Sequence, residues 1–234
     1  TRRSSDLPTN EAIQELYNTI VLSTSGYPHY SRKADIPKEI TQIIVNSHMV
    51  GELLYRKDFA GGFRNGAGDL ITLDESDITE KEYGSNGVFL GVNKAIVPFA
   101  FKSVAAAVYL RPQYQTFFKA IEYTNTLPAL TKKDVNYSFY IIEDARLQQD
   151  SSLLLVWDDQ GRNRYHFDAY DRGVERFVRI RQNDLTKWVM NQIVLQEPRG
   201  IARKEFLENL GGNYIIIDNE DDGIFIQEEF FKKP

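Results

Sequence analysis

Two stretches of the chain recur at one fixed distance. Such a duplication restricts the fold more than any local pattern does, because each copy must close a core of the same design. Val45-Asn46-Ser47-His48-Met49-Val50 lies on Val189-Met190-Asn191-Gln192-Ile193-Val194 at an offset of 144 residues. Gly68-Asp69-Leu70-Ile71-Thr72-Leu73-Asp74 lies on Gly212-Asn213-Tyr214-Ile215-Ile216-Ile217-Asp218 at the same offset. Asn86-Gly87-Val88-Phe89-Leu90 then matches Asp222-Gly223-Ile224-Phe225-Ile226, and Pro98 matches Pro234, both at 136. The drop of eight predicts a shorter connection in the second copy, where Asp218 to Asp222 replaces Asp74 to Asn86.

Each matched piece has a physical shape. Ile40, Ile43, Ile44, Met49 and Val50 stand at helical spacings, as do Leu185, Trp188, Val189 and Ile193, which predicts a pair of corresponding helices. Asn183 or Asp184 suits the N-cap of the second, since a short polar side chain accepts from the free amides of the first turn. Leu70 to Leu73 and Tyr214 to Ile217 are β-prone runs, and Asn86-Gly87 and Asp222-Gly223 are turn dipeptides that tolerate positive φ, so antiparallel strands are expected. Arg164 to Tyr170 alternates, with Tyr165, Phe167 and Ala169 on one face and His166, Asp168 and Tyr170 on the other, as a half-buried strand does.

The copies differ at their beginnings. Before an expected strand at Tyr137 to Ile142, the second carries an amphipathic helix at Tyr114 to Ile121 and a Leu127-Pro128-Ala129-Leu130 turn. In the first copy the matching strand falls at or before Asp6-Leu7, so that copy is expected to be incomplete at its N-terminus. The expected division is a first domain over 1–103 and a divergent second over 104–234.

In tandem, these residues resemble the fasciclin-type adhesion domain. Leu7-Pro8-Thr9-Asn10-Glu11-Ala12-Ile13 is similar to the family's first motif, a strand leaving through Pro-Thr-Asn/Asp into a helix. Ile44 to Val50 resembles the second, an apolar helix ending in His and two aliphatics. Asn86-Gly87-Val88 followed by Ile96-Val97-Pro98 resembles the closing hairpin, and Phe206 to Asn213 resembles the Thr-Leu-x-Gly-Asn stretch. The second copy departs from the pattern, with Ile142-Glu143 in place of Pro-Thr and Gln192 in place of His48. The resemblance implies an α+β chain of two units, each an antiparallel β wedge or sandwich edged by helices. It also implies an extracellular or outer-membrane-surface protein, of the type found on gut-type Gram-negative bacteria, whose partners are other surface proteins or glycans. Animal members engage receptors through a Tyr-His pair. Here Ser47 takes the Tyr place and only His48 remains.

Composition excludes several function classes. Lys and Arg number 28 against 33 Asp and Glu, a formal charge of -5 with no basic block, which argues against a nucleic-acid partner. With 0 Cys there are no disulfides, thiolate metal sites or Cys nucleophiles. The apolar stretch Ala95 to Leu110 is interrupted by Pro98 and Lys102, so no membrane-spanning segment is expected. The opening Thr1-Arg2-Arg3-Ser4-Ser5 has neither an initiator Met nor an apolar leader core, which predicts a processed or trimmed chain.

The residues that tempt a chemical reading are few. Ser47 beside His48 looks like a nucleophile and base, yet helical neighbours point about 100° apart and do not form a triad. No catalytic residue, metal site or cofactor is assigned, and the chain reads as a non-enzyme. Gly61 to Gly68 lacks the Lys-Ser/Thr of a phosphate loop and reads as a mobile loop. Asp218-Asn219-Glu220-Asp221-Asp222-Gly223, with Glu229, nearly spells a calcium loop, but strand-like flanks favour an acidic hairpin turn. Asn136-Tyr137-Ser138 is a sequon that reads as accidental at a strand start. Tyr and Trp present a flat apolar face with a polar rim, which suits sugar rings. Trp157, Tyr165 and Tyr170, with Asp158, Asp159 and Asp168 nearby as hydroxyl partners, therefore join His48 as candidate binding residues, although core packing is the favoured reading for Trp157 at the end of the run Leu153 to Trp157.

Overall fold

The computed structural model describes residues 3–22, 30–132, 134–149, 153–157, 165–195, 204–220 and 223–229. The chain is α+β, with helices set among several small sheets. It divides into two compact units, Thr1–Pro112 and Gln113–Pro234.

Unit 1 runs β1 (Arg3–Pro8), α1 (Asn10–Leu16), α2 (Lys38–Ser47), β2 (Met49–Val50), α3 (Arg56–Gly61), β3 (Phe63–Arg64), β4 (Leu70–Ile71), β5 (Ile78–Gly84), β6 (Gly87–Val92) and α4 (Ala106–Tyr109). Its main sheet has the order β2-β1-β6-β5. Thr9 opens α1 as predicted for the Pro-Thr-Asn motif, its Oγ1 accepting from the Ala12 amide at 3.3 Å. The sheet is mixed where an antiparallel wedge was expected, because β1 lies parallel to β6 from Arg3↔Gly87 to Pro8↔Val92. Such a pairing needs a long crossover, and the whole segment from α1 to β5 supplies it. The core beneath is Val50, Leu54, Phe59, Phe63, Leu73, Val88, Leu90 and Val92.

Unit 2 runs α5 (Gln115–Thr124), α6 (Leu127–Leu130), β7 (Ser138–Phe139), α7 (Asp144–Gln149), β8 (Leu154–Trp157), β9 (Tyr165–Asp171), β10 (Arg176–Arg179), α8 (Gln182–Asn191), β11 (Ile193–Val194), β12 (Lys204–Glu208), β13 (Tyr214–Glu220) and β14 (Gly223–Glu229). Its strands form three sheets, β10-β9-β8, β11-β7 and β12-β13-β14. The expected Leu127 to Leu130 turn is a single helical turn with Pro128 in its first positions, where the missing amide costs nothing. The Thr116 amide donates to Asp144 Oδ1 at 3.0 Å and ties the start of α5 to the start of α7.

The 144-residue offset holds down to single hydrogen bonds. Both α2 and α8 are ten residues long, and they begin and end at positions 144 apart. Both helices stop earlier than the periodicity predicts. Met49, Val50 and Ile193 belong to β2 and β11, because the chain turns at His48 and at Gln192 to pair with β1 and β7. Arg181, not Asn183 or Asp184, precedes α8, and it makes no side-chain cap. Next comes a tight turn built on a buried asparagine. The Asn65 amide donates to Asp69 O at 3.0 Å, and the Asn209 amide donates to Asn213 O at 2.9 Å. Asn65 Oδ1 accepts from the amides of Ala67 and Asp69, and Asn209 Oδ1 from those of Gly211 and Asn213. Gly68 at φ 85° and Gly212 at φ 82° complete the two turns in the left-handed region that glycine favours. The strands on either side pair in one register, Phe63↔Ile71 against Leu207↔Ile215 and Arg64↔Leu70 against Glu208↔Tyr214. Gly61 to Gly68, expected as a loop, therefore comprises the end of α3, strand β3 and the hydrogen-bonded turn that follows it.

The offset then falls to 136 where the sequences say it does. The closing hairpins pair Gly84↔Gly87 and Glu220↔Gly223, and Lys81↔Leu90 matches Ile217↔Ile226. In unit 1 the chain leaves β4 at Ile71 and passes through a 3-10 turn at Glu75–Asp77 before β5. In unit 2 the single strand β13 serves both roles. The second core, Val194, Leu207, Ile215 and Ile217 with Tyr140 against it, repeats positions Val50, Phe63, Ile71 and Leu73 of the first. Pro234, matched to Pro98, lies outside the described residues.

Candidate functional site

The aromatic candidates are set out by β8 and β9, which pair antiparallel in the register Trp157↔Tyr165, Val156↔His166, Leu155↔Phe167 and Leu154↔Asp168. Alternation puts Trp157, Leu155, Tyr165 and Phe167 on one face. Helix α5 covers that face. Its cationic and aromatic side chains one turn apart, Lys119 and Tyr123, meet the strand aromatics. The Trp157 and Tyr165 rings meet edge to face at 5.4 Å, Tyr165 and Phe167 at 5.9 Å, and Tyr123 approaches both Tyr165, at 6.2 Å, and Phe167, at 5.9 Å. Lys119 is only 5% exposed. Its Nζ lies 4.8 Å from the Phe118 ring centre, 5.7 Å from that of Trp157 and 5.5 Å from that of Tyr165. An ammonium held against three π faces is attracted to each of them and keeps the rings in place. The Tyr165 hydroxyl donates to the Lys119 carbonyl at 3.4 Å, the long end of hydrogen-bond range.

Trp157 corrects the sequence expectation of core packing: it is 50% exposed, at the end of β8 where the chain leaves for β9. Alternation does not separate Trp157 from Leu153, which stands four residues away and is 1% exposed; the difference lies in position along the strand. One edge of the indole is held by Tyr165 and Lys119 and the remainder faces solvent. The indole thus offers a flat apolar face beside the Tyr165 ring, whose hydroxyl is turned to the Lys119 carbonyl.

The four candidate binding residues separate into three places. Trp157 and Tyr165 stand together. Tyr170, 43% exposed, points to the opposite face of β9, where it meets Phe177 of β10 at 5.4 Å. Asp168 shares that opposite face and lies 3.4 Å from His166 Nε2. Asp158 and Asp159 lie outside the described residues.

His48 belongs to unit 1 and is buried, at 2% exposure. Its Nδ1 lies 2.8 Å from Ile44 O and its Nε2 accepts the Ile96 amide at 2.9 Å. This fixes the neutral Nδ1–H tautomer and commits both ring nitrogens to backbone. Burial lowers the pKa of the ring below the ordinary histidine value. Ser47 Oγ is likewise committed, donating to Ile43 O at 2.9 Å. The pair holds the end of α2, and His48 clasps the segment that follows β6.

The calcium-like run includes residues 221 and 222, outside the described residues. Its flanks β13 and β14 are paired strands, not the helices that a calcium loop requires. Among the described residues no group of three or more His, Asp or Glu side chains is placed to hold a metal ion. No helix among them is long and apolar enough to cross a membrane.

Sequence reasoning missed two parts of this unit. One is Lys119 with Tyr123, whose signal was a lysine interrupting the apolar run Phe117-Phe118-Lys119-Ala120-Ile121. The other is a pocket of about 490 Å³, lined by Phe139, Tyr140, Ile141, Ile142, Asn191, Gln192 and Ile215. It had no signal in local composition. Burial pushes the Tyr140 phenol above the ordinary tyrosine range.

No family model matches the chain, and no curated protein sequence matches it.

Proposed function

We propose that the chain is a non-enzymatic binding protein of the cell surface, built of two fasciclin-like units and acting in adhesion. The observation that carries this reading is the doubled module, in which a helix, a buried-asparagine turn and a closing hairpin recur with the same bonds. The motif order Pro8-Thr9-Asn10, His48-Met49-Val50, Asn86-Gly87-Val88 and Ile96-Val97-Pro98 gives the module its fasciclin-like character. His48, bonded on both sides to backbone, acts here as a clasp and not as a receptor contact. The test is adhesion itself: beads coated with the chain should bind the surface of cells that display it or its partner. Equal retention of uncoated beads sinks the reading.

The exposure of Trp157 favours a second reading, a glycan-binding accessory protein of a bacterial surface polysaccharide-uptake system. A sugar ring stacks its C–H face on the free part of the indole, and the Tyr165 rim sets its position. On a glycan array, Trp157→Ala should abolish the signal, whereas Tyr170→Ala, on the opposite face, should leave it intact. Retained binding in Trp157→Ala would remove this site from consideration.

A further inference from the structure

Unit 2 leaves open a sheet that unit 1 closes. In unit 1, β1 runs beside β6 from Arg3↔Gly87 to Pro8↔Val92 and joins the strands into one sheet, β2-β1-β6-β5. Strand β7 stands at the place of β1, since Ser138 and Phe139 pair with Val194 and Ile193 as Ser4 and Ser5 pair with Val50 and Met49. Among the described residues β7 pairs with β11 alone, so β11-β7 and β12-β13-β14 are separate sheets. Tyr140, Ile141 and Ile142, at the places of Asp6, Leu7 and Pro8, continue past β7 outside any strand. The pocket of about 490 Å³ lies against them, with Ile215 of β13 and the end of α8 at Asn191 and Gln192 as its other walls.

We infer that this pocket is a binding site for an uncharged amphipathic small molecule, an apolar body bearing a hydroxyl or amide group. Its volume falls in the range of small-molecule sites. None of the described residues that line it carries a charge, so an ion seated there would lose its water without gaining a counter-charge from the walls. Glu205 raises the Tyr140 phenol beyond the effect of burial, and the same negative charge disfavours an anion beside that ring. The ligand's polar group has its own counterpart. Tyr140 packs against the core of Val194, Leu207, Ile215 and Ile217, and its hydroxyl is buried without a hydrogen-bond partner among the described residues. A protonated phenol both donates and accepts, and a ligand hydroxyl or amide reaching it restores the bond lost to water. Asn191 and Gln192 add neutral hydrogen-bonding groups to a wall that is otherwise Phe139, Ile141, Ile142 and Ile215. Neither Trp157, Tyr165 nor Tyr170 lines the pocket, so this site stands whether or not the glycan reading does.

The test uses N-phenyl-1-naphthylamine, an uncharged probe that brightens in apolar surroundings, with the full chain. Binding should saturate at one probe per chain. 1-Decanol should displace the probe at concentrations about tenfold or more below those needed for decanoate or decylammonium, since either ion would be buried unpaired. Ile142, 38% exposed, gives access to the site, and the chain has 0 Cys of its own. Ile142→Cys capped with benzyl methanethiosulfonate should bind the probe about tenfold more weakly, and reduction should restore binding. Ile142→Trp, which fills the same place without a chemical step, should reproduce the loss with an unchanged circular dichroism spectrum. Absence of saturable binding, binding indifferent to both changes at position 142, or an ion that displaces the probe as well as decanol does would each overturn the proposal.

Discussion

At the scale of single residues, the buried asparagine of each turn does the most for its size. Asn65 accepts two amides through Oδ1 and donates through Nδ2 to Ser47 O at 3.0 Å, so one side chain ties the turn to the end of α2. Asn209 makes the same two acceptor bonds, but its Nδ2 is buried without a hydrogen-bond partner among the described residues. Asn65→Ala should therefore cost about 3 kcal/mol and Asn209→Ala about 2 kcal/mol, read by chemical denaturation. His48 makes stability depend on pH with a definite sign. Its folded pKa lies below the unfolded value because burial disfavours the charged ring, so the unfolded state binds more protons. The stabilisation is complete above the unfolded-state value and is lost as pH falls through it toward the lower folded value. His48→Gln, which installs the residue that unit 2 carries at this position, should flatten that slope in denaturation midpoints measured between about pH 7 and 5. The asparagines were not legible in the sequence. A polar residue in a glycine-rich stretch looks the same whether it faces water or organises a turn.

At the scale of elements, what the sequence made legible was the repeat, because identical offsets survive even where local signals mislead. Periodicity carried α2 and α8 too far, since the two aliphatics after His48 and Gln192 continue a helical pattern while the backbone has already turned into a strand. Propensity also missed the parallel pairing of β1 with β6, a long-range choice that no window of residues contains. That pairing places β6 between two neighbours, with Leu90 wholly buried on it. Leu90→Ala should cost about 3 kcal/mol. Hydrogen exchange should show the loss in β1 and β5 along with β6. The exposed indole of Trp157 was illegible for a simpler reason. The run Leu153 to Trp157 is continuously apolar, so nothing in it marks which end is covered, and only tertiary packing leaves Trp157 exposed and Leu153 buried.

At the scale of the whole molecule, one plan has been built twice with different side chains, and the two versions do not exchange freely. Position 66 is Gly and position 210 is Leu, and both amides bond equivalent carbonyls, at Met49 and Ile193. In unit 1 a Cβ at position 66 would stand 2.9 Å from Asn46 O and 3.3 Å from Met49 O. Gly66→Leu should thus destabilise the chain by about 2 kcal/mol, seen as a lowered thermal midpoint, although the same residue serves at 210. The passage from β4 to β5 teaches the opposite lesson. Unit 2 draws a single strand through a place where unit 1 spends eight more residues, and the pairs on either side keep their register. That joint is a natural splice point, where a loop, an epitope or a reporter tag can be written into the protein without rewriting its sheet.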